Sequence, residues 1–246
     1  FVIDRSVQGK ILMRSFWLYG ALCVAIQGLS GCGSNPVVET KTEVTHSTKV
    51  AQYDRLVVAF GDSLYAGYRL APGEGLAPQL QAALQAAGIK ARVHNAGVSG
   101  DTTAAGKARL AFVLDNLERK PDLVVLGLGG NDMLRGIKPS ETKANMTTMM
   151  DELKRRGIPV VLTGMLASPN MGQDYGKSFN GIFPALSKQF DAKLYPFFLD
   201  GVVTDAALML PDNIHPNAKG VTRVVEGLSP LVEAALKDDK EAVLEK

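Results

Sequence analysis

Histidine and cysteine are scarce in this chain, with three of the one and two of the other among 246 residues. Both cysteines, Cys23 and Cys32, lie in one N-terminal apolar segment. A domain without that segment has no pair to close as an internal disulfide and no thiolates for a zinc site. The histidines His46, His94 and His215 are too few and too scattered for a His-rich metal centre. Also missing is a basic run with interleaved aromatics, and 27 basic against 25 acidic residues leave a formal net charge of only +2. Nucleic acid is therefore not an expected partner, because nothing concentrates cations where a phosphate backbone would lie. From residue 55 onward no internal repeat or low-complexity segment interrupts the chain, and 46% hydrophobic with 21% charged residues is ordinary for one globular domain.

What is present first is an address. Met13, Arg14 and the apolar run Phe16 to Leu29 read as the start of a signal peptide, which makes residues 1–12 a non-native upstream segment. The run is short of the roughly 20 residues that a membrane-spanning helix needs. Its end, Leu29-Ser30-Gly31-Cys32, resembles the processing box of bacterial lipoproteins, which predicts a signal peptide over 13–31 and lipidation of Cys32. Acyl chains there would hold the protein on a membrane at the periplasmic side of the bacterial envelope, each buried CH₂ contributing about 0.8 kcal/mol. Residues 32–54 lack any sustained period and read as a flexible tether, with His46 in it as a solvated residue. The charged tail 238–246 is expected to fray.

Between tether and tail, over 55–237, short apolar runs alternate with longer amphipathic stretches. Leu56 to Phe60, Ala91 to Ala96, Leu123 to Leu128 and Pro159 to Met165 read as strands. Glu74 to Ala87, Thr103 to Leu117, Glu141 to Arg156, Lys177 to Phe190 and Ala218 to Leu236 read as helices. Gly88, Gly157 and Gly227 are expected near helix ends. Such alternation implies an α/β domain, a parallel sheet covered by helices on both faces.

In such a sheet the ligand site lies beyond the carboxyl ends of the strands. Three short motifs fall there: Gly61-Asp62-Ser63-Leu64, Gly97-Val98-Ser99-Gly100-Asp101 and Gly129-Gly130-Asn131-Asp132. A fourth, Asp212-Asn213-Ile214-His215-Pro216, precedes the last helix. A serine hydroxyl attacks only when a base takes its proton, and Ser63 with His215 as base and Asp212 as the orienting carboxylate meets that need. His94, the competing base, sits inside a strand as a packed residue would. The backbone N–H groups of Ser63 and Gly100 and the side-chain amide of Asn131 are candidate oxyanion donors, each worth about 2.7–4 kcal/mol in related chemistry.

On these motifs the chain resembles the SGNH (GDSL-type) hydrolases, with Ser63, Gly100, Asn131 and His215 as the four namesake residues, over about residues 55–235. The likeness extends to the branch known as acyl-CoA thioesterase I, lysophospholipase L1 and arylesterase, through Tyr65-Ala66-Gly67-Tyr68-Arg69, Leu134-Arg135-Gly136 and Ile214-His215-Pro216-Asn217. The resemblance implies a flavodoxin-like three-layer α/β/α fold with about five parallel strands. It also implies no metal and no cofactor, and hydrolysis of a small-molecule or lipid ester through an acyl-enzyme. Two features depart from it: the lipoprotein box, and the run Ala167-Ser168-Pro169-Asn170-Met171-Gly172, less bulky than the family's acyl-contacting loop. Tyr65, Met133, Leu134, Met165, Met171 and Phe179 are candidates for an apolar groove, and Arg135 for a phosphate contact. The alternatives are a carbohydrate O-acetyl esterase, a metallophosphoesterase suggested by Gly61-Asp62 and Gly130-Asn131-Asp132, and a non-catalytic envelope lipoprotein.

Overall fold

The computed structural model describes residues 53–244, with side chains as far as Lys237. The predicted signal peptide, Cys32 and all but the end of the tether lie outside the described residues.

Five strands form one wholly parallel sheet in the order β2-β1-β3-β4-β5. They are β1 (Arg55–Gly61), β2 (Ala91–Gly97), β3 (Leu123–Gly127), β4 (Val160–Thr163) and β5 (Lys193–Tyr195). The central strands β1 and β3 are apolar almost throughout because both their faces are covered. Their side chains alternate between two cores. Val57, Ala59, Leu123 and Val125 face one, and Val58, Phe60, Val124 and Leu126 face the other.

Helices α2 (Leu76–Ala86) and α8 (Ala218–Leu244) cover the first face. Helices α3 (Thr103–Asp115), α5 (Pro139–Arg155), α6 (Gln173–Asn180) and α7 (Ile182–Phe190) cover the second. Spacing explains the packing: α5 buries Thr142, Met146, Met149, Met150 and Leu153, which fall on one helical face. Two short helices, α1 (Ser63–Ala66) and α4 (Gly130–Leu134), sit at the carboxyl edge directly after β1 and β3. The sheet order reverses between β1 and β3, so the crevice expected in a doubly wound sheet opens at these two helices.

The three-layer expectation is met, with differences at particular elements. The stretch expected as one helix over Lys177 to Phe190 is two, α6 and α7, joined at Gly181. The three-residue β5 has no sequence counterpart among the strands read above. Helix α8 continues to Leu244 instead of ending near Leu236. Gly88 and Gly157 do follow helix ends, with φ of 80° and 60°. Gly227 lies inside α8, where a Cβ would come 2.6 Å from the Tyr195 hydroxyl, so close approach and not helix termination is its role.

The same close approach, repeated, builds the seat of α1. Gly61, Gly97 and Gly127 end their strands in register, Gly61 pairing with both of the others. A Cβ on Gly61 would meet the Tyr65 ring at 2.3 Å, one on Gly97 the Ala66 nitrogen at 2.3 Å, and one on Gly127 the Tyr65 hydroxyl at 2.3 Å. The Tyr65 ring thus lies against Gly61 and Gly127 and the backbone at Tyr65 and Ala66 against Gly97, with the Tyr65 hydroxyl 2.7 Å from Thr163 Oγ1 and its ring stacked 5.3 Å from Phe198. Gly97→Ala sets a methyl against backbone, which cannot swing aside, and is expected to destabilise the fold by about 1–3 kcal/mol, as overpacking does. Urea unfolding measures this, and a wild-type midpoint would show that α1 is not seated as described.

Candidate active site

Ser63 opens α1, so the sharp end of β1 lifts its hydroxyl to the carboxyl edge. Asp62 caps the helix, Oδ1 accepting the Leu64 N–H at 3.1 Å, and Gly67 closes it in the left-handed conformation. The loop before α8 brings the other two groups. Leu210 N–H donates to the His215 carbonyl at 2.8 Å, Asn213 N–H donates to the Leu210 carbonyl, and Met209 pairs with Pro216. Asn217 ties this loop to α8, its side chain accepting from Gly220 N–H and donating to the Ala207 and Met209 carbonyls.

The result is a continuous relay. His215 Nε2 lies 2.9 Å from Ser63 Oγ, and His215 Nδ1 lies 2.9 Å from Asp212 Oδ2. An ionised carboxylate only accepts, so it takes the Nδ1 proton and leaves Nε2 with its lone pair toward the serine. Asp212 Oδ1 is itself held by the N–H groups of Ile214 and His215, each at 3.0 Å. Partial burial opposes its ionisation. The His215 and Ile214 N–H groups and the His215 ring outweigh that and hold the carboxyl down at about 2. The Tyr68 ring packs on the imidazole at 4.4 Å between centroids, and the Arg69 guanidinium stands 5.1 Å from the Tyr68 ring.

Gly100 and Asn131 border the same edge. Gly100 has φ +87°, which a residue with a side chain rarely adopts, and its carbonyl accepts from Arg135 Nη2 at 2.7 Å. The Gly100 loop is tied down by Arg109, which bonds Asp101 Oδ2 at 2.6 Å and the Gly61 carbonyl at 2.9 Å while resting 4.0 Å from the Phe60 ring centroid. Asn131 opens the turn of α4 toward the edge and its Nδ2 lies 3.4 Å from Asp62 Oδ2. Its neighbour Asp132 is fully buried and accepts from Thr103 N–H at 2.8 Å, Thr103 Oγ1 at 2.5 Å and Thr142 Oγ1 at 3.1 Å.

All the site residues read from the sequence that fall among the described residues therefore meet at one edge. Ser63, Asp212 and His215 form the relay, with Gly100 and Asn131 beside it. His94 stays in β2, half-buried, and burial lowers its pKa. Corrections fall on the expected groove. Tyr65 and Phe179 are buried core residues, and Met133 is nearly buried, its sulfur accepting from Ser168 N–H. Leu134 is exposed, joined at this edge by exposed Val98, Leu166 and Ile214. Arg135 is exposed and donates from Nη2 to the Gly100 carbonyl. Tyr68, Arg109 and Asn217 were missed as supports, because nothing in their spacing marks them. The metallophosphoesterase alternative loses its basis, since Asp132 turns into the core and no three acidic, His or Cys side chains gather as metal ligands among the described residues.

Residues 59–223 match the GDSL-like Lipase/Acylhydrolase family. The chain belongs to this family. Esterase TesA of Pseudomonas aeruginosa is 38% identical over 189 residues, 77% of this chain and 92% of that protein. An arylesterase of Vibrio mimicus is 36% identical over 72% of this chain and 87% of its own length. The crystal structure of AlinE4, an SGNH-hydrolase family esterase, superposes with a TM-score of 0.64 at 50% identity, covering 74% of this chain and 96% of that one. The GDSL-like fold is thus the one seen here, and the protein is a hydrolase of that family.

The Asp212 environment sets a sign for stability. Its folded pKa of about 2 lies below the ordinary value of 3.8, so the ionised form is favoured by folding. That contribution is fully present above about pH 4 and is lost as pH falls through about 2. Asp212→Asn is accordingly expected to lower stability at pH 7 and to converge on the wild type below pH 4. Urea unfolding at several pH values checks this, and a gap that widens on acidification would contradict it.

Proposed function

We propose that this family member hydrolyses carboxylic esters through an acyl-enzyme on Ser63, with His215 as base and Asp212 orienting it. The observation that carries the reading is the unbroken Asp212–His215–Ser63 relay, 2.9 Å at each step. Ser63 Oγ attacks the acyl carbon while its proton passes to His215 Nε2. The oxyanion is met by the N–H groups of Ser63 and Gly100 and by Asn131 Nδ2. Collapse breaks the ester bond, and the leaving alcohol takes the proton from His215. Water then attacks the acyl-serine with His215 again as base, which releases the acid and restores the serine.

Aryl or short-to-medium acyl esters are the substrates that the site's surroundings support. Val98, Leu134, Leu166 and Ile214 expose apolar surface on the loops around the relay, and no enclosed tunnel is needed for a short chain. The names esterase and arylesterase carried by relatives agree with this class. Thioesters and lysophospholipids are cleaved by the same steps, with a thiol or glycerol hydroxyl leaving. Ser63→Ala in the full chain is expected to lower kcat on p-nitrophenyl butyrate by on the order of 10⁴-fold or more while leaving the unfolding transition intact. Retained turnover would remove Ser63 from the reaction. In the same assay an acetylated sugar is expected to be a poor substrate.

We also propose that the chain is held through lipidated Cys32 at the periplasmic side of the bacterial envelope. The support is the Leu29-Ser30-Gly31-Cys32 box. Cys32→Ser is expected to move the protein from membrane to soluble fraction with kcat/KM on a soluble ester unchanged. A variant that stays with the membrane would contradict the anchor.

A further inference from the structure

Asp62 takes no part in the proton relay, yet it is a carboxylate kept 3% exposed beside the proposed nucleophile. Apolar and backbone groups surround it, among them Leu64, Tyr65, Leu128, Met165 and Phe198, which share a small cavity with it. Burial pushes its carboxyl up to about 6, against the lowering pull of the Leu64 N–H, His215 and Asn131, with Asp101 adding to the rise. Holding a charge there works against stability. If capping α1 were its whole task, a serine or asparagine would serve without a charge.

The carboxylate has what those residues lack, a second acceptor oxygen. Two donors converge on it from different elements: Leu64 N–H at 3.1 Å on Oδ1, and Asn131 Nδ2 at 3.4 Å on Oδ2. The Oδ2 atom also lies against the turn that carries Asn131, since a Cβ on Gly130 would stand 3.4 Å from it. A carboxamide at this position offers one oxygen and one NH₂ group. With its oxygen on Leu64 N–H, it turns a donor toward Asn131, whose amide must then rotate to answer with oxygen.

We propose that Asp62 is a positioning residue that acts through Asn131, fixing its carboxamide with the nitrogen toward the site so that one N–H is held by Oδ2 and the other is free for the oxyanion. This inference rests on the reading of Asn131 as an oxyanion donor. A purely structural Asp62 would alter stability and leave kinetic effects that multiply with those of Asn131. A positioning Asp62 adds nothing once Asn131 is gone.

The test is a double-mutant cycle in the full chain, measuring kcat and KM on p-nitrophenyl butyrate for Asp62→Asn, Asn131→Ala and the pair together. Asn131→Ala is expected to lose about 10²–10³-fold in kcat, the scale of one oxyanion donor. Asp62→Asn is expected to lose about 10-fold or more in kcat with KM within about twofold, and the double variant to match Asn131→Ala within about twofold. Asp62→Ser keeps a hydroxyl for the Leu64 cap without the second oxygen; it serves where Asp62→Asn does not fold, and the same pattern is expected. Losses that multiply, or wild-type kcat in Asp62→Asn, would overturn the inference while leaving Asn131 as a donor. Wild-type kcat in Asn131→Ala would overturn the reading of Asn131 itself, and failure of both Asp62 variants to fold would make Asp62 a core residue and overturn its positioning role.

Discussion

The seating of α1 on Gly61, Gly97 and Gly127 is the contact on which the site depends. Three adjacent strands end in glycine in register, and the missing side chains leave room for a helix to sit directly on the sheet edge. The Tyr65 ring fills the space over Gly61 and Gly127, the backbone at Tyr65 and Ala66 fills that over Gly97, and the ring hydroxyl is satisfied by Thr163 at the end of β4. The Tyr65 side chain thus joins the ends of β1, β3 and β4, the backbone beside it rests on β2, and the serine two positions earlier inherits their rigidity. A nucleophile carried on such a seat need not be ordered anew by each substrate, which is what preorganised catalysis requires.

The remaining parts are held by separate ties to the same edge. Arg109 links the Gly100 loop to β1, the Thr103 and Thr142 bonds to Asp132 fix the turn that presents Asn131, and Asn217 fastens the His215 loop to α8. Two carboxylates with opposite environments stand at the site, Asp212 within the relay and Asp62 beside it. Asp212, wrapped in N–H donors, stays ionised beside the imidazole, whereas buried Asp62 is pushed up to about 6. Environments that push apart the pKa values of like groups divide the roles between them. Here one carboxylate serves the histidine and the other faces the amide.

The order of strands and helices, and the residues that meet at the site, were legible because apolar runs and strand-end motifs are local signals. Ser63, Gly100 and Asn131 needed only the rule that parallel strands deliver their following loops to one edge, while Asp212 and His215 were read from their spacing in the loop before the last helix. What was not legible depends on contacts between distant segments. Tyr65 reads as a groove residue because an aromatic near a motif looks available, and only strand register shows the room that Gly61 and Gly127 leave to bury it. Phe179 was misplaced for a similar reason, since its burial rests on packing against the rest of the second core. Short β5 carries too few residues to show a period. No role for Asp62 beside Ser63 was legible because Asn131, its second partner, lies 69 residues away.

The central claim is that Ser63 becomes covalently acylated, and trapping the adduct tests it most directly. After incubation with a p-nitrophenyl alkylphosphonate, the account predicts that intact mass rises by one phosphonyl group and that peptide mapping places it on Ser63, with activity lost in proportion. Inactivation with the label on another residue, or full activity in protein that carries the label on Ser63, would contradict it.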